Sequence, residues 1–280
     1  MIKKCIFVAC IGLFPTLPGF AESLDNNIFA VVEPGRAFPV VTIQGNRFLA
    51  MRLSTGATAG ANVDFVDAAL LRHAQPLYLY NAGELLQHSS VESVHVETEA
   101  GCTNGDYVEF GAKESKATLV TTNPLVTAQK LQITLPSKSE RLASLRLAES
   151  LFRSKHVPIS VREALLAAIK INALQVPEGE PKLLTFTSKV ATKDNIYVLL
   201  GLAEKIGTKP YQINYVEFYA GDDNSMAPGG GEYFDHLDLD GDGLPEIVYS
   251  YSGYEWWGFE VIKKVGLQWQ LVHQQAVGGC

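Results

Sequence analysis

Short stretches rich in apolar, β-branched and aromatic residues recur in the first half of the chain, and turn residues separate these stretches. Their length and composition predict strands at 28–32, 38–43, 47–51, 77–80, 91–96, 107–110, 117–121 and 130–135. Glycine and asparagine between them, as at Gly45 and Asn46, predict tight turns. Turns at such short intervals favour an antiparallel sheet or barrel over alternating βαβ units.

The apolar spacing changes to a helical period after residue 137. A first helix is predicted at 140–154 and a second at 161–174, each with one apolar face that we expect to be buried. Each predicted helix has a serine three residues before a glutamate, which predicts a capping box at its start. These pairs are Ser137 with Glu140 and Ser160 with Glu163.

Strands are predicted again after Pro181 and continue to the C-terminal end. The sequence therefore predicts a mainly β (α+β) fold of antiparallel sheets with a central helical hairpin. The expected organisation is an N-terminal β-rich region at 22–136, the hairpin at 137–176, and a C-terminal antiparallel β region at 177–280.

One acidic run interrupts the C-terminal strands. Carboxylates at Asp238, Asp240 and Asp242 alternate, Gly243 follows them, and Glu246 comes three residues later. Alternate side chains of a tight loop can point to one centre, and glycine permits the sharp turn that this needs. Calcium prefers such a shell of oxygen ligands. The twelfth position of an EF-hand must be a bidentate glutamate, but here it is a tyrosine, so the run is not an EF-hand.

Over residues 234–250 the run resembles the calcium loop of FG-GAP repeats, as in the integrin α-subunit propeller. The resemblance implies a loop between two strands with calcium bound by Asp238, Asp240, Asp242, the Leu244 carbonyl and Glu246. A propeller needs several blades, and the run occurs once, so we do not expect a full propeller. The alternative is a solvated acidic turn without metal, in which the four acids would repel one another.

The start of the chain predicts export. Basic Lys3 and Lys4, an apolar run over 5–17 and small residues up to Ala21 are typical of a signal peptide at 1–21, cleaved after Ala21. We expect a periplasmic or secreted protein without stable membrane insertion, because the run is short, contains Pro15 and is followed directly by Pro18. The chain has 23 basic and 30 acidic side chains, a balance that argues against nucleic acid as a partner.

Cysteine usage leaves two alternatives open. Cys5 and Cys10 would leave with the signal peptide, although Cys10 also permits a lipoprotein interpretation with a very short apolar run before it. Cys102 and Cys280 would remain, either as a disulfide or as two free thiols, because the sequence does not give their separation.

Aromatic residues crowd the stretch after the acidic run. Tyr254, Trp256 and Trp257 are candidates for binding a glycan or a protein partner, since exposed aromatic rings suit both. The alternative is that the strands bury these rings in the core, because aromatic residues are favoured in strands.

Two functions follow from these features. The first is a non-catalytic exported protein with one structural calcium loop that binds a protein or a glycan. A catalytic metal in the loop would need a base nearby, for which His236 is the one candidate. The second function is a hydrolase acting on glycan or cell-wall material through acids between 232 and 260. The acids in question are Glu232, Asp235, Glu255 and Glu260.

Overall fold

The computed structural model describes residues 26–54, 65–67, 71, 75–96, 105–125, 131–175, 182–222, 230–253 and 256–279. The predicted signal peptide, Cys102, Tyr254, Glu255 and Cys280 lie outside these residues. The N-terminal strands are β1 (Asn26–Glu33), β2 (Arg36–Gln44), β3 (Arg47–Leu49), β4 (Arg52–Ser54), β5 (Phe65–Asp67), β6 (Pro76–Asn81), β7 (Glu84–His95), β8 (Tyr107–Phe110) and β9 (Leu119–Thr121).

Six of these strands form a sheet whose first and last strands also pair with each other. Their order is β1-β9-β6-β7-β8-β2, and β1 also pairs with β2, so the sheet forms a closed ring with β3 attached to β2. The short strands β4 and β5 form a separate parallel pair. Phe29, Leu79 and Phe110 belong to the core inside the ring, whereas Ile28 and Val40 belong to a second core on its outer face. Both faces of β1 and β2 are therefore buried.

A second sheet carries the helices. It consists of β10 (Gln132–Thr134), β11 (Lys170–Gln175), β12 (Lys182–Ala191), β13 (Ile196–Lys205) and β14 (Gln212–Gly221), each antiparallel to the next. Helices α1 (Lys138–Ser154) and α2 (Ile159–Ala167) lie between β10 and β11 in the chain. Apolar residues of both helices, including Phe152 and Leu165, pack on one face of this sheet against Phe186 and Leu199. We call it the helix-backed sheet.

The C-terminal strands form a third sheet, the middle sheet, between the other two. Its strands are β15 (Gly230–Leu237), β16 (Glu246–Ser252), β17 (Trp256–Val265) and β18 (Gln268–Gly279), and successive neighbours pair antiparallel as predicted. Val248 and Phe259 pack against the outer face of the ring. Ile247 and Tyr249 point the other way and pack against Leu200 of the helix-backed sheet.

The fold class predicted from the sequence is confirmed. The described residues form antiparallel sheets with two helices, apart from the short parallel pair, and they do not form the blades of a full propeller. The capping box at Ser137 is present, with Glu140 N–H donating to the serine hydroxyl and Ser137 N–H donating to the glutamate.

The second helix differs from its prediction. It begins at Ile159 and ends at Ala167, with Pro158 in the N-cap position and no side-chain cap, so the capping box predicted at Ser160 is wrong. Residues 170–174, predicted as the end of that helix, belong to strand β11 (Lys170–Gln175). Pairing with both β10 and β12 outweighs the local helical pattern at this point.

Candidate metal centre

The acidic loop, residues 238–246, connects two paired strands of the middle sheet. Asp238 follows the last residue of β15, and Glu246 is the first residue of β16. Because Leu237 pairs with Glu246, the antiparallel ladder brings both ends of the loop together. This is the strand–loop–strand setting expected from the resemblance to the FG-GAP loop.

Backbone N–H groups hold three of the carboxylates in place. Gly243 N–H donates to Asp238 Oδ2 at 3.0 Å, Leu244 N–H donates to Asp242 Oδ1 at 2.9 Å, and Leu239 N–H donates to Glu246 Oε2 at 2.7 Å. Gly243 has a φ of +91°, a conformation that an L side chain rarely adopts. The turn at Gly243 therefore has the sharpness predicted from the sequence.

Three predicted ligands converge. One carboxylate oxygen from each of Asp238, Asp240 and Glu246 lies within 4.8 Å of the other two. Asp238 and Glu246 are buried, and Asp238 Oδ1 has no hydrogen-bond partner. Asp242 lies on the more exposed side of the loop, and Leu244 is half-buried. An oxygen shell that is partly buried and partly unpartnered is suited to a calcium ion.

Lys263 joins the loop, and the sequence reasoning missed it. Its ammonium lies 2.9 Å from the Asp240 carboxylate, 2.6 Å from Asp242 Oδ2 and 2.8 Å from Glu246 Oε1. The Lys263 side chain is 14% exposed. The signal that could have found it is strand register, because Ile247 pairs with Ile262 and the next residues outward are Glu246 and Lys263.

Burial and pairing act in opposite directions on these groups. Burial raises the pKa of Glu246 to about 7, against the opposing effect of Lys263, and burial also raises the pKa of Asp238. Burial disfavours the charged form of Asp242, but the Lys263 ammonium and the Leu244 N–H together outweigh burial and lower the pKa of that carboxyl. The loop thus contains four acids and one ammonium, so additional positive charge would stabilise it.

His236 takes part in a different, structural network. Its Nε2 donates to the Leu131 carbonyl at 2.8 Å, so its Nδ1, 2.6 Å from the Tyr233 hydroxyl, accepts from that group. The ring is fully buried, and burial lowers the pKa of His236. Neighbouring Asp235 accepts from the Ala82 N–H and the Thr118 hydroxyl of the ring. These contacts join the middle sheet to its neighbours and leave His236 no nitrogen for a substrate.

The acids considered for hydrolysis lie in different surroundings. Glu232 forms an exposed ion pair with Lys170, and Asp235 belongs to the buried network. Glu260 is buried at the contact with the helix-backed sheet, where Gln274 Nε2 donates to it at 2.9 Å. Of these three described acids, Glu232 alone lines the cavity of about 540 Å³ between the sheets.

The candidate aromatic residues are half-buried. Trp257 lines the same cavity, and its ring lies 5.1 Å from that of Phe38 and 5.9 Å from that of Phe259. Trp256 packs edge-on against Tyr251 at 4.9 Å. Tyr254 lies outside the described residues. The structure therefore gives each tryptophan a packing role and leaves Trp257 beside a space that a partner could enter.

No protein family, curated protein or solved structure matches the chain. In the part of the chain described above, neither helix is long and apolar enough to cross a membrane.

Proposed function

We propose that this chain is an exported, non-catalytic binding protein whose middle sheet is stabilised by one calcium ion in the acidic loop. The observation that carries the proposal is the convergence of Asp238, Asp240 and Glu246, together with the buried, unpartnered Asp238 Oδ1. A cation there would neutralise the turn that joins β15 to β16. Its role is structural, because both ring nitrogens of His236 are already engaged.

The partner that we propose is a protein or a glycan, and no nucleic acid. The support is the acidic net charge and the cavity beside Trp257, which also contains Ser250, Ser252 and the Lys170–Glu232 pair. An aromatic ring with hydroxyl and charged groups around it suits a sugar ring or a polar peptide. Comparing Trp257→Ala with the wild type on a glycan array tests this surface. Among the described acids no grouping favours the hydrolase alternative, so we do not propose it.

Calcium should raise the melting temperature of chelated protein. With an expected dissociation constant of about 10⁻⁴–10⁻³ M, as in extracellular modules, about 10 mM calcium stabilises the folded state by about 1.4–2.7 kcal/mol. For a domain of this size that is a shift of roughly 3–10 °C. Differential scanning calorimetry in EGTA and then in calcium measures it.

Asp240→Ala should abolish this shift, because it removes one of the three converging carboxylates and leaves no side-chain oxygen in its place. Glu163→Gln is the matched control, since it removes one negative charge from an exposed position on α2. An unchanged melting temperature in calcium for the wild type would overturn the proposal, and so would a shift that survives in Asp240→Ala.

A further inference from the structure

One ammonium group holds three of the four acids in the loop. A lysine ammonium has three N–H donors, and the three carboxylates of Asp240, Asp242 and Glu246 lie 2.6–2.9 Å from Lys263 Nζ. The lysine therefore uses its full hydrogen-bonding capacity on the loop. It comes from β17, the strand next to β16, and its side chain is largely buried there.

We propose that Lys263 is a tethered cation that neutralises the acidic loop when calcium is scarce and leaves it when calcium binds. This inference rests on the calcium site proposed above. Calcium needs six to eight oxygens at about 2.3–2.6 Å, and Lys263 occupies oxygens of three of the acids that would supply them. Two cations at one set of carboxylates repel each other, so binding of one displaces the other.

The fourth acid, Asp238, favours calcium over the lysine as the cation bound to the loop. Its Oδ1 is buried and unpartnered, and Lys263 does not contact it. Calcium satisfies this oxygen as well as those that the lysine releases, because one ion accepts more oxygens than an ammonium has donors. The freed lysine reaches solvent on its flexible stem. The loop thus keeps a cation in both states, and the middle sheet stays paired without metal.

The lysine also lowers the calcium affinity, since each binding event must break its three contacts. Isothermal titration of the full chain with calcium tests this. We expect Lys263→Gln to bind calcium at least about tenfold more tightly than the wild type. Lys170→Gln is the control, because it removes an equal charge from an exposed ion pair away from the loop and should leave the affinity unchanged.

The outcomes separate the two proposals. Equal affinity of Lys263→Gln and the wild type, with both binding calcium, overturns the role of Lys263 and leaves the calcium site standing. If Lys263→Gln binds calcium and the wild type does not, the result supports the proposal that Lys263 competes with calcium for the loop. Binding by neither protein up to about 10 mM calcium removes both proposals.

A second measurement uses the wild type and does not depend on the folding of a variant. Reductive methylation followed by mass spectrometry reports how accessible each lysine amine is. We expect calcium to increase the labelling of Lys263 severalfold relative to EGTA. Lys264 is the internal control, because it pairs with Glu204 of the helix-backed sheet and should be labelled equally in both conditions. Calcium binding without increased labelling of Lys263 contradicts the exchange.

Discussion

Glu246 and Glu260 are both almost fully buried, on neighbouring strands of the middle sheet. The polar and charged groups around the two carboxyls differ. Glu246 has the Lys263 ammonium at 2.8 Å, whereas Glu260 accepts a hydrogen bond from the Gln274 amide and lies near the negative charge of Glu217. Burial and then the Glu217 charge raise the pKa of Glu260 to about 7. Glu260 is therefore a buried acid without a cationic partner among the described residues.

Replacing Glu260 should change how stability depends on pH. Its pKa is raised from 4.5 to about 7, so the stability that the protonated acid contributes is complete below pH 4.5 and is lost as the pH rises to about 7. Glu260→Gln should match the wild type near pH 4 and exceed it at pH 8 by on the order of 3 kcal/mol. Urea denaturation at both values measures this.

The exposed variant Glu163→Gln serves as the control and should change the free energy of unfolding by less than about 0.5 kcal/mol at either pH. A Glu260→Gln variant that differs from the wild type by the same amount at pH 4 and pH 8 would show that ionisation of this acid is not penalised in the folded state.

Among the secondary-structure elements, the two helices show when a local sequence signal is sufficient to predict a helix cap. The capping box of α1 involves residues that are three positions apart in the chain, so its two hydrogen bonds form within a single turn. The same spacing at Ser160 forms no cap, because Pro158 takes the N-cap position one residue before the helix. Proline fixes φ and lacks an N–H, which suits a helix start.

A pair of serine substitutions tests this difference. Ser137→Ala should lower the free energy of unfolding by about 1 kcal/mol, because it removes the side chain that accepts the Glu140 N–H. Ser160→Ala should change it by less than about 0.5 kcal/mol, since Ser160 lies inside an exposed first turn. Urea unfolding curves measure both changes. Equal losses of unfolding free energy in the two variants would contradict the assignment of the caps.

At the scale of the whole molecule, the middle sheet is shared by two interfaces. Ile247 and Val248 are adjacent and fully buried, yet Ile247 faces the helix-backed sheet and Val248 faces the ring. Inter-sheet polar contacts add to both, including the Lys264–Glu204 pair and the Asp235 network. The ring and the helix-backed sheet are thus both coupled to one common layer.

This arrangement predicts a single cooperative unfolding transition. Ile247→Ala should cost about 2–5 kcal/mol and Val248→Ala about 1–3 kcal/mol, because each leaves a cavity in a packed core. Both should shift one and the same transition, followed by tryptophan fluorescence and by far-ultraviolet circular dichroism. Two separate transitions in either variant would show that the sheets unfold independently.

The positions of many strands, the tight turns, the first helix and the acidic loop with its glycine could be predicted from the sequence. These features depend on residues near one another in the chain, where side-chain alternation and turn geometry act directly. The tertiary structure alone decided the closed ring, strand β11 in place of a longer helix, and the burial of both faces of the middle sheet.

Lys263 shows the difference between what the local sequence predicts and what depends on strand pairing. Nothing local distinguishes it from Lys264, and the two neighbours bind different acids because successive side chains of a strand point to opposite faces. Strand pairing places Lys263 on the side of the acidic loop and Lys264 on the side of Glu204. The sequence specified the four acids of the loop, and long-range register specified the cation that meets them.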